Sequence, residues 1–135
     1  MKLIPYLSYA GNCAEAFRFY AQATGGKIDF LMTYAEAPPG SPVPPGMKDK
    51  VMHASMTIGG SPLMGSDAPL TATPTCFAVS INTDLPDQAD RLYAALAEGG
   101  TIKLPITETF WAHRFAMFTD KFNIPWMINC EKPME

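Results

Sequence analysis

Two side chains in this chain of 135 residues pair a useful acidity with a place where a substrate could meet them. His53 lies in the run VMHASMTI, where Val51, His53, Ser55 and Thr57 would share one face of a strand and Met52, Ala54, Met56 and Ile58 the other. Imidazole titrates near neutral pH, which makes His53 a candidate acid or base; the plainer reading is a histidine hydrogen-bonded for structure. Glu108, three residues before Trp111, is a candidate general base or ligand-anchoring carboxylate, or else a solvated group that braces a hairpin. Used together, the two would suit proton abstraction or isomerisation of a small oxygenated substrate. With Asp67 added they would make a displaced divalent-metal site of imidazole and carboxylates, although nothing in the spacing of the three brings them together.

The remaining candidates bind rather than react. Trp111 and Phe110 could stack on a planar ligand or could simply pack a hairpin. His113 and Arg114 alternate along a strand, so only one can face a cavity; Arg114 would be the natural anchor for an anion if it does. Asp120 reads as a turn residue. Cys76 has neither an adjacent histidine nor a helix start to activate it, which argues against a nucleophile. GGSPLMGS is a hairpin turn, and no glycine-rich phosphate loop is present.

The elements that must position these residues follow from periodicity and punctuation. Lys2–Tyr9 reads as a strand, and a helix over Cys13–Thr24 should follow, with Asn12 as cap, Glu15 at the capping-box spacing and Gly25-Gly26 as the stop. Lys27–Tyr34 is a second strand. The segment AEAPPGSPVPPGMKDK holds five of the thirteen prolines and must be a loop, whether a functional lid or a mobile connection. Val51–Ile58 and Pro62–Ser66 form a hairpin about Gly59-Gly60, and Thr75–Asn82 alternates like a half-buried strand. Pro86–Glu98 is a helix, Thr101–Leu104 a short strand, and Ala112–Thr119 with Pro125–Cys130 a hairpin turned at Asp120–Asn123.

An internal repeat links the two halves. AFRFYAQATGGKI begins at Ala16 and ADRLYAALAEGGTI at Ala89, 73 residues later; both read Ala-x-Arg-x-Tyr-Ala and then Gly-Gly-x-Ile. Each copy follows a strand and precedes further strands, so the chain spells βαβββ twice, the mark of a duplicated unit. With a helix covering one face of each sheet, the other face carries His53, Ser55 and Thr57 in the first unit, and Cys76, Ala78, Ser80, Met127 and Asn129 in the second. That mixture of small, polar and thioether groups suits a ligand wall better than a solid core.

Composition narrows the partners. A net charge of −3, a pI near 5.3 and no clustered Lys or Arg leave no electrostatic footprint for nucleic acid or for an anionic membrane. No apolar run reaches the length of a membrane span, and MKLIPYLSYAGN lacks the charged start and long apolar centre of a signal peptide, so a cytoplasmic location is expected. Three cysteines without CxxC spacing suggest neither a disulfide framework nor a zinc knuckle.

PYLSYAGNCAEAFRFY (Pro5–Tyr20), HASMTIGGSPLMGSDA (His53–Ala68) and ETFWAHRF with TDKFNIPWMIN (Glu108–Asn129) resemble the vicinal oxygen chelate superfamily of glyoxalases, bleomycin-resistance proteins and ring-cleaving dioxygenases, and within it the PhnB-like proteins. The resemblance spans the chain. It implies an α+β fold: two βαβββ modules, about residues 1–70 and 71–135, forming a cupped sheet in a single domain with the helices packed outside, usually in a homodimer. Metal-dependent members place His, Gln or Glu at four strand positions, which correspond here to Pro5, Met64, Cys76 and Met127. One thiol cannot hold a hard octahedral ion, so no metal cofactor is expected at these positions. The expected protein is therefore a metal-free dimer that holds a small apolar or aromatic molecule under Trp111. The alternatives are an enzyme rearranged around His53 and Glu108, or a domain for interaction alone.

Overall fold

The computed structural model describes residues 2–69 and 77–133. Two compact units divide the chain, Met1–Ala72 and Thr73–Glu135. The first runs β1 (Tyr6–Tyr9), α1 (Cys13–Thr24), β2 (Lys27–Thr33), β3 (Val51–Ile58) and β4 (Ser61–Asp67). The second runs β5 (Val79–Asn82), α2 (Pro86–Leu96), β6 (Thr101–Thr107), β7 (Ala112–Thr119) and β8 (Pro125–Glu131). Each folds into a four-stranded sheet of the same design, ordered β1-β4-β3-β2 and β5-β8-β7-β6. In each the first strand pairs parallel to the last and the other pairings are antiparallel.

Helix α1 forms because Cys13, Ala16, Phe17 and Tyr20 recur at the three- and four-residue spacing of one helical face, and all four are fully buried. It lies against β3 and β4, where Ala54, Met56 and Leu63 are buried, and Gly65 makes room for it. A Cβ at Gly65 would stand 2.9 Å from the Leu7 carbonyl and 3.0 Å from the Phe17 ring. Gly25 stops the helix in the left-handed region, φ 74°, and returns its N–H to the Ala21 carbonyl. Gly99 has the same φ of 74°, but α2 is capped two residues earlier by Ala97, whose N–H returns to the Tyr93 carbonyl, so the repeated glycine turns the chain after the helix has already ended. Burying Phe17 alone is worth about 1.5–3 kcal/mol.

The start of α1 departs from the sequence expectation. Asn12 makes no side-chain cap. Instead, Asp67 at the far end of β4 accepts the Gly11 and Cys13 N–H groups on Oδ1, at 3.0 and 2.9 Å, and the Val51 N–H on Oδ2 at 2.8 Å. A carboxylate from a distant strand supplies a negative charge where the helix dipole wants one, and local spacing cannot show it. Burial first, and the nearby Asp67 charge second, push the Cys13 thiol up to about 12, so it is an inert neutral group.

Other boundaries moved for physical reasons. β1 is shorter than Lys2–Tyr9, beginning at Tyr6 where pairing with Met64 begins. β6 continues through Pro105 to Thr107 rather than stopping at Leu104; it is an edge strand, and its register shifts between Leu104 and Thr107, which tolerates a proline. Strand β5 starts at Val79, not at Thr75, and Thr75 and Cys76 lie outside the described residues. The proline-rich segment is a loop entered by a single 3-10 turn, Tyr34–Glu36, and closed by Tyr34 N–H to the Lys50 carbonyl and Ala35 N–H to the Lys48 carbonyl, both 2.9 Å. Among the described residues, no helix is long and apolar enough to cross a membrane.

Candidate functional site

Strand register decides which candidates share a surface. In the first unit Tyr6, Met64, Ser55 and Phe30 form one cross-strand row, since Tyr6 pairs with Met64, Met64 with Ser55 and Ser55 with Phe30. His53 lies two residues along β3 on the same face, away from the face where Gly65 meets Phe17. Its Nδ1 is 3.0 Å from the Tyr6 hydroxyl, the two rings stack at 5.7 Å and 22°, and Phe30 tilts against the imidazole at 5.9 Å. Tyr6 and Phe30 are half exposed, at 50% and 45%.

In the second unit Met127 pairs with Ser80 on one side and Met117 on the other, while Asn129 pairs with Asn82 and Phe115. Met64 and Met127 are thus equivalent, each on the last strand of its unit between a parallel and an antiparallel partner. Trp111 closes on this face edge-to-face with Phe115 at 5.2 Å, and Phe110 packs on Trp111 at 4.9 Å. Trp111 is 41% exposed and Met117 36%. Asn129 donates from Nδ2 to Glu131 Oε1 at 3.1 Å, and its buried Oδ1 has no partner among the described residues.

Three expectations change. Arg114 is turned away from Met127 and Asn129: it pairs with Cys130, which is buried on the opposite face, and its Nε bonds Asp90 of α2 at 3.0 Å. With its guanidinium bonded to a helix carboxylate, Arg114 is not an anion anchor on the helix-free face. Asp67 is 1% exposed, and the three backbone N–H groups on its two oxygens leave little lone-pair capacity for a metal. Asp120 is more than a turn residue. It is 2% exposed and accepts the Phe122 and Ile124 N–H groups at 2.8 and 3.0 Å, and the Trp126 indole N–H at 2.8 Å, fixing the β7–β8 hairpin.

Glu108 follows β6 and meets Lys132 Nζ at 2.6 Å. That hydrogen bond first, and the ammonium charge second, hold its carboxyl below the usual carboxylate range, with His113 and Arg114 adding to the effect. Such a carboxylate is a weaker base than a free one. His53 and Glu108 belong to different units.

At the described positions expected to match the superfamily's metal ligands, the donors present do not suit a hard divalent ion. Met64 and Met127 offer thioethers, the Pro5 carbonyl accepts the Met64 N–H at 3.0 Å, and Cys76 lies outside the described residues. On the parallel strand the residue beside Met127 is Ser80. Among the described residues no three His, Cys, Asp or Glu side chains gather as a metal-holding group. A hollow of about 340 Å³ beside the proline-rich loop is lined by Tyr34, Pro38, Pro39, Val43 and Lys48 and includes none of the candidates.

The sequence reading did not find Tyr6, Phe30, Phe115 and Met117. Alternation in YLSY could have separated Tyr6 from Leu7, but cross-strand register is not written in any single segment.

Paired βαβββ units with the helix on one face and a thioether-bearing strand on the other define a glyoxalase-type α+β fold. The chain belongs to the glyoxalase/bleomycin resistance protein/dioxygenase superfamily, whose model matches residues 2–128. Protein YjdN of Escherichia coli (strain K12) is 36% identical over 142 residues, covering 98% of this chain and 97% of that protein. The crystal structure of protein PA1353 from Pseudomonas aeruginosa superposes with a TM-score of 0.86 at 41% identity, covering 98% of this chain and 99% of that one. A PhnB protein from Bacillus cereus shares the fold at a TM-score of 0.78 and 22% identity, over 96% of this chain and 99% of that one.

Proposed function

We propose that this chain binds a small apolar or aromatic molecule on the helix-free faces of its sheets, needs no metal to do so, and works as a cytoplasmic homodimer. One observation carries the reading. Tyr6, Phe30, Trp111 and Met117 stand 36–50% exposed on those faces, while the helix-facing sides of the two sheets are closed over Ala54 and Met56 in the first and Trp126 and Ile128 in the second. Partly exposed aromatic and thioether groups set among a few small polar ones, here Ser55, Ser80 and Asn129, have the composition of a ligand wall. Methionines such as Met64 and Met127 adapt their shape to a guest. The metal-free part of the reading rests on the donor chemistry at Met64 and Met127, and the dimer on kinship with the superfamily.

Ligand-observed NMR with indole, toluene and naphthalene tests the binding. The wild-type chain should bind at least one of them, and Trp111→Ala and Met127→Ala should each weaken that affinity about tenfold, a loss of about 1.4 kcal/mol. No binding, or affinity untouched by both substitutions, contradicts the reading. Stoichiometric divalent metal in the gently purified protein, lost in His53→Ala, would contradict its metal-free part.

A second reading, an enzyme of the proton-transfer, isomerase or lyase type, is favoured by one geometry: His53 is held by Tyr6 through Nδ1, and Nε2 has no partner among the described residues. The ion pair of Glu108 with Lys132 counts against Glu108 as the base. Unchanged turnover of a discovered substrate in a double variant, His53→Ala with Glu108→Ala, would remove this reading.

A further inference from the structure

The Tyr6 to His53 contact specifies more than a place for a ligand. A phenol O–H is a better donor than a neutral imidazole N–H, and an imidazole nitrogen lone pair is a better acceptor than a phenol oxygen conjugated with its ring. Tyr6 Oη and His53 Nδ1 share one hydrogen bond of 3.0 Å, and these relative strengths favour Oη–H as its donor, which in a neutral ring leaves the proton to Nε2. Register explains why these two meet. Tyr6 and Ser55 both pair with Met64, and His53 is one same-face step beyond Ser55, so the tyrosine reaches diagonally across β4. Phe30, paired with Ser55, flanks the imidazole from the other side, at 5.9 Å and 45°. Between two aromatic rings the imidazole has little freedom to turn, and an N–H presented beside apolar surface makes a stronger hydrogen bond than one in water.

We propose that Tyr6 is a positioning residue that fixes His53 as the Nε2–H tautomer, so that this face selects ligands with a carbonyl-type oxygen acceptor next to an aromatic or apolar body. The inference rests on the reading that the helix-free face of the first unit takes a small molecule. It also narrows the enzymatic alternative: an Nε2 that already carries a proton polarises a carbonyl and does not abstract a proton.

Two measurements test it. With 15N-labelled histidine, two-bond proton–nitrogen correlation reads the tautomer of His53 without any ligand. The wild-type chain should show Nε2–H, and in Tyr6→Phe the Nδ1 resonance should move downfield, the signature of a ring nitrogen that has lost its donor. Acetophenone and α-methylstyrene then serve as matched probes that differ only in C=O against C=CH2. The ratio of their affinities should shift against acetophenone by about fivefold in both Tyr6→Phe and His53→Phe, the size of one net hydrogen bond. An Nδ1–H tautomer in the wild-type chain, or an affinity ratio unchanged in both variants, overturns the proposal. Binding of neither probe by the wild-type chain overturns the ligand reading and the selectivity with it; the tautomer measurement, which needs no ligand, tells that failure from a wrong assignment of His53.

Discussion

The contrast between His53 and Glu108 shows how local partners set what a side chain can do. Both are titratable, but one is held at a single nitrogen by a neutral phenol and the other is bonded to an ammonium group. The lowered Glu108 pKa has a defined sign. The folded chain favours the ionised carboxylate, so the small stability it gains is present above the pKa of the unfolded glutamate and is lost as pH falls through the lower folded value. With a side chain 62% exposed, solvent screens most of that gain. Replacing Lys132 by Met should raise the Glu108 pKa toward the ordinary carboxylate value, as read from its side-chain carboxyl resonance through an acid titration. A pKa that stays low in that variant would mean that Lys132 is not the cause. Residue identity made both groups visible as candidates in the sequence, but not their partners: Lys132 is 24 residues from Glu108 and Tyr6 is 47 from His53, and each meeting depends on a completed sheet.

At the scale of elements, helices and hairpins were legible where local pattern and tertiary packing agree. The buried stripe Cys13, Ala16, Phe17 and Tyr20 fixed α1, and β3 and β7 run over the residues their alternation indicated. The capping of α1 was not legible, because the carboxylate that does it arrives from β4, 55 residues after Asn12. This yields an unequal pair of substitutions. Asp67→Ala leaves the N–H groups of Gly11, Cys13 and Val51 without their acceptor and should cost about 3–5 kcal/mol in urea unfolding, whereas Asn12→Ala should cost less than about 0.5 kcal/mol. Equal costs for the two would restore Asn12 as the cap. The face of Arg114 was open for a similar reason, since alternation says that His113 and Arg114 part company, but only Asp90 on α2 decides which turns inward.

For the whole molecule, duplication is the organising fact. Two units with one strand order, a left-handed glycine at the same place in the repeat and a methionine at the equivalent point of the last strand follow one βαβββ plan. The repeat in Ala16–Ile28 and Ala89–Ile102 announced that plan, and the superfamily's model spans both copies, residues 2–128. What the repeat could not convey is how each copy was specialised on its helix-free face: tyrosine, phenylalanine and histidine in the first unit, tryptophan, thioethers and asparagine in the second. These differences lie at positions whose neighbours are set by register. The central claim is that those faces receive a small molecule, and amide chemical-shift mapping of the 15N-labelled chain during an indole titration tests it most directly. The account predicts saturable shifts concentrated at Ser55, Met64, Phe115, Met127 and Asn129; an absence of shifts, or shifts centred on the exposed sides of α1 and α2, would contradict it.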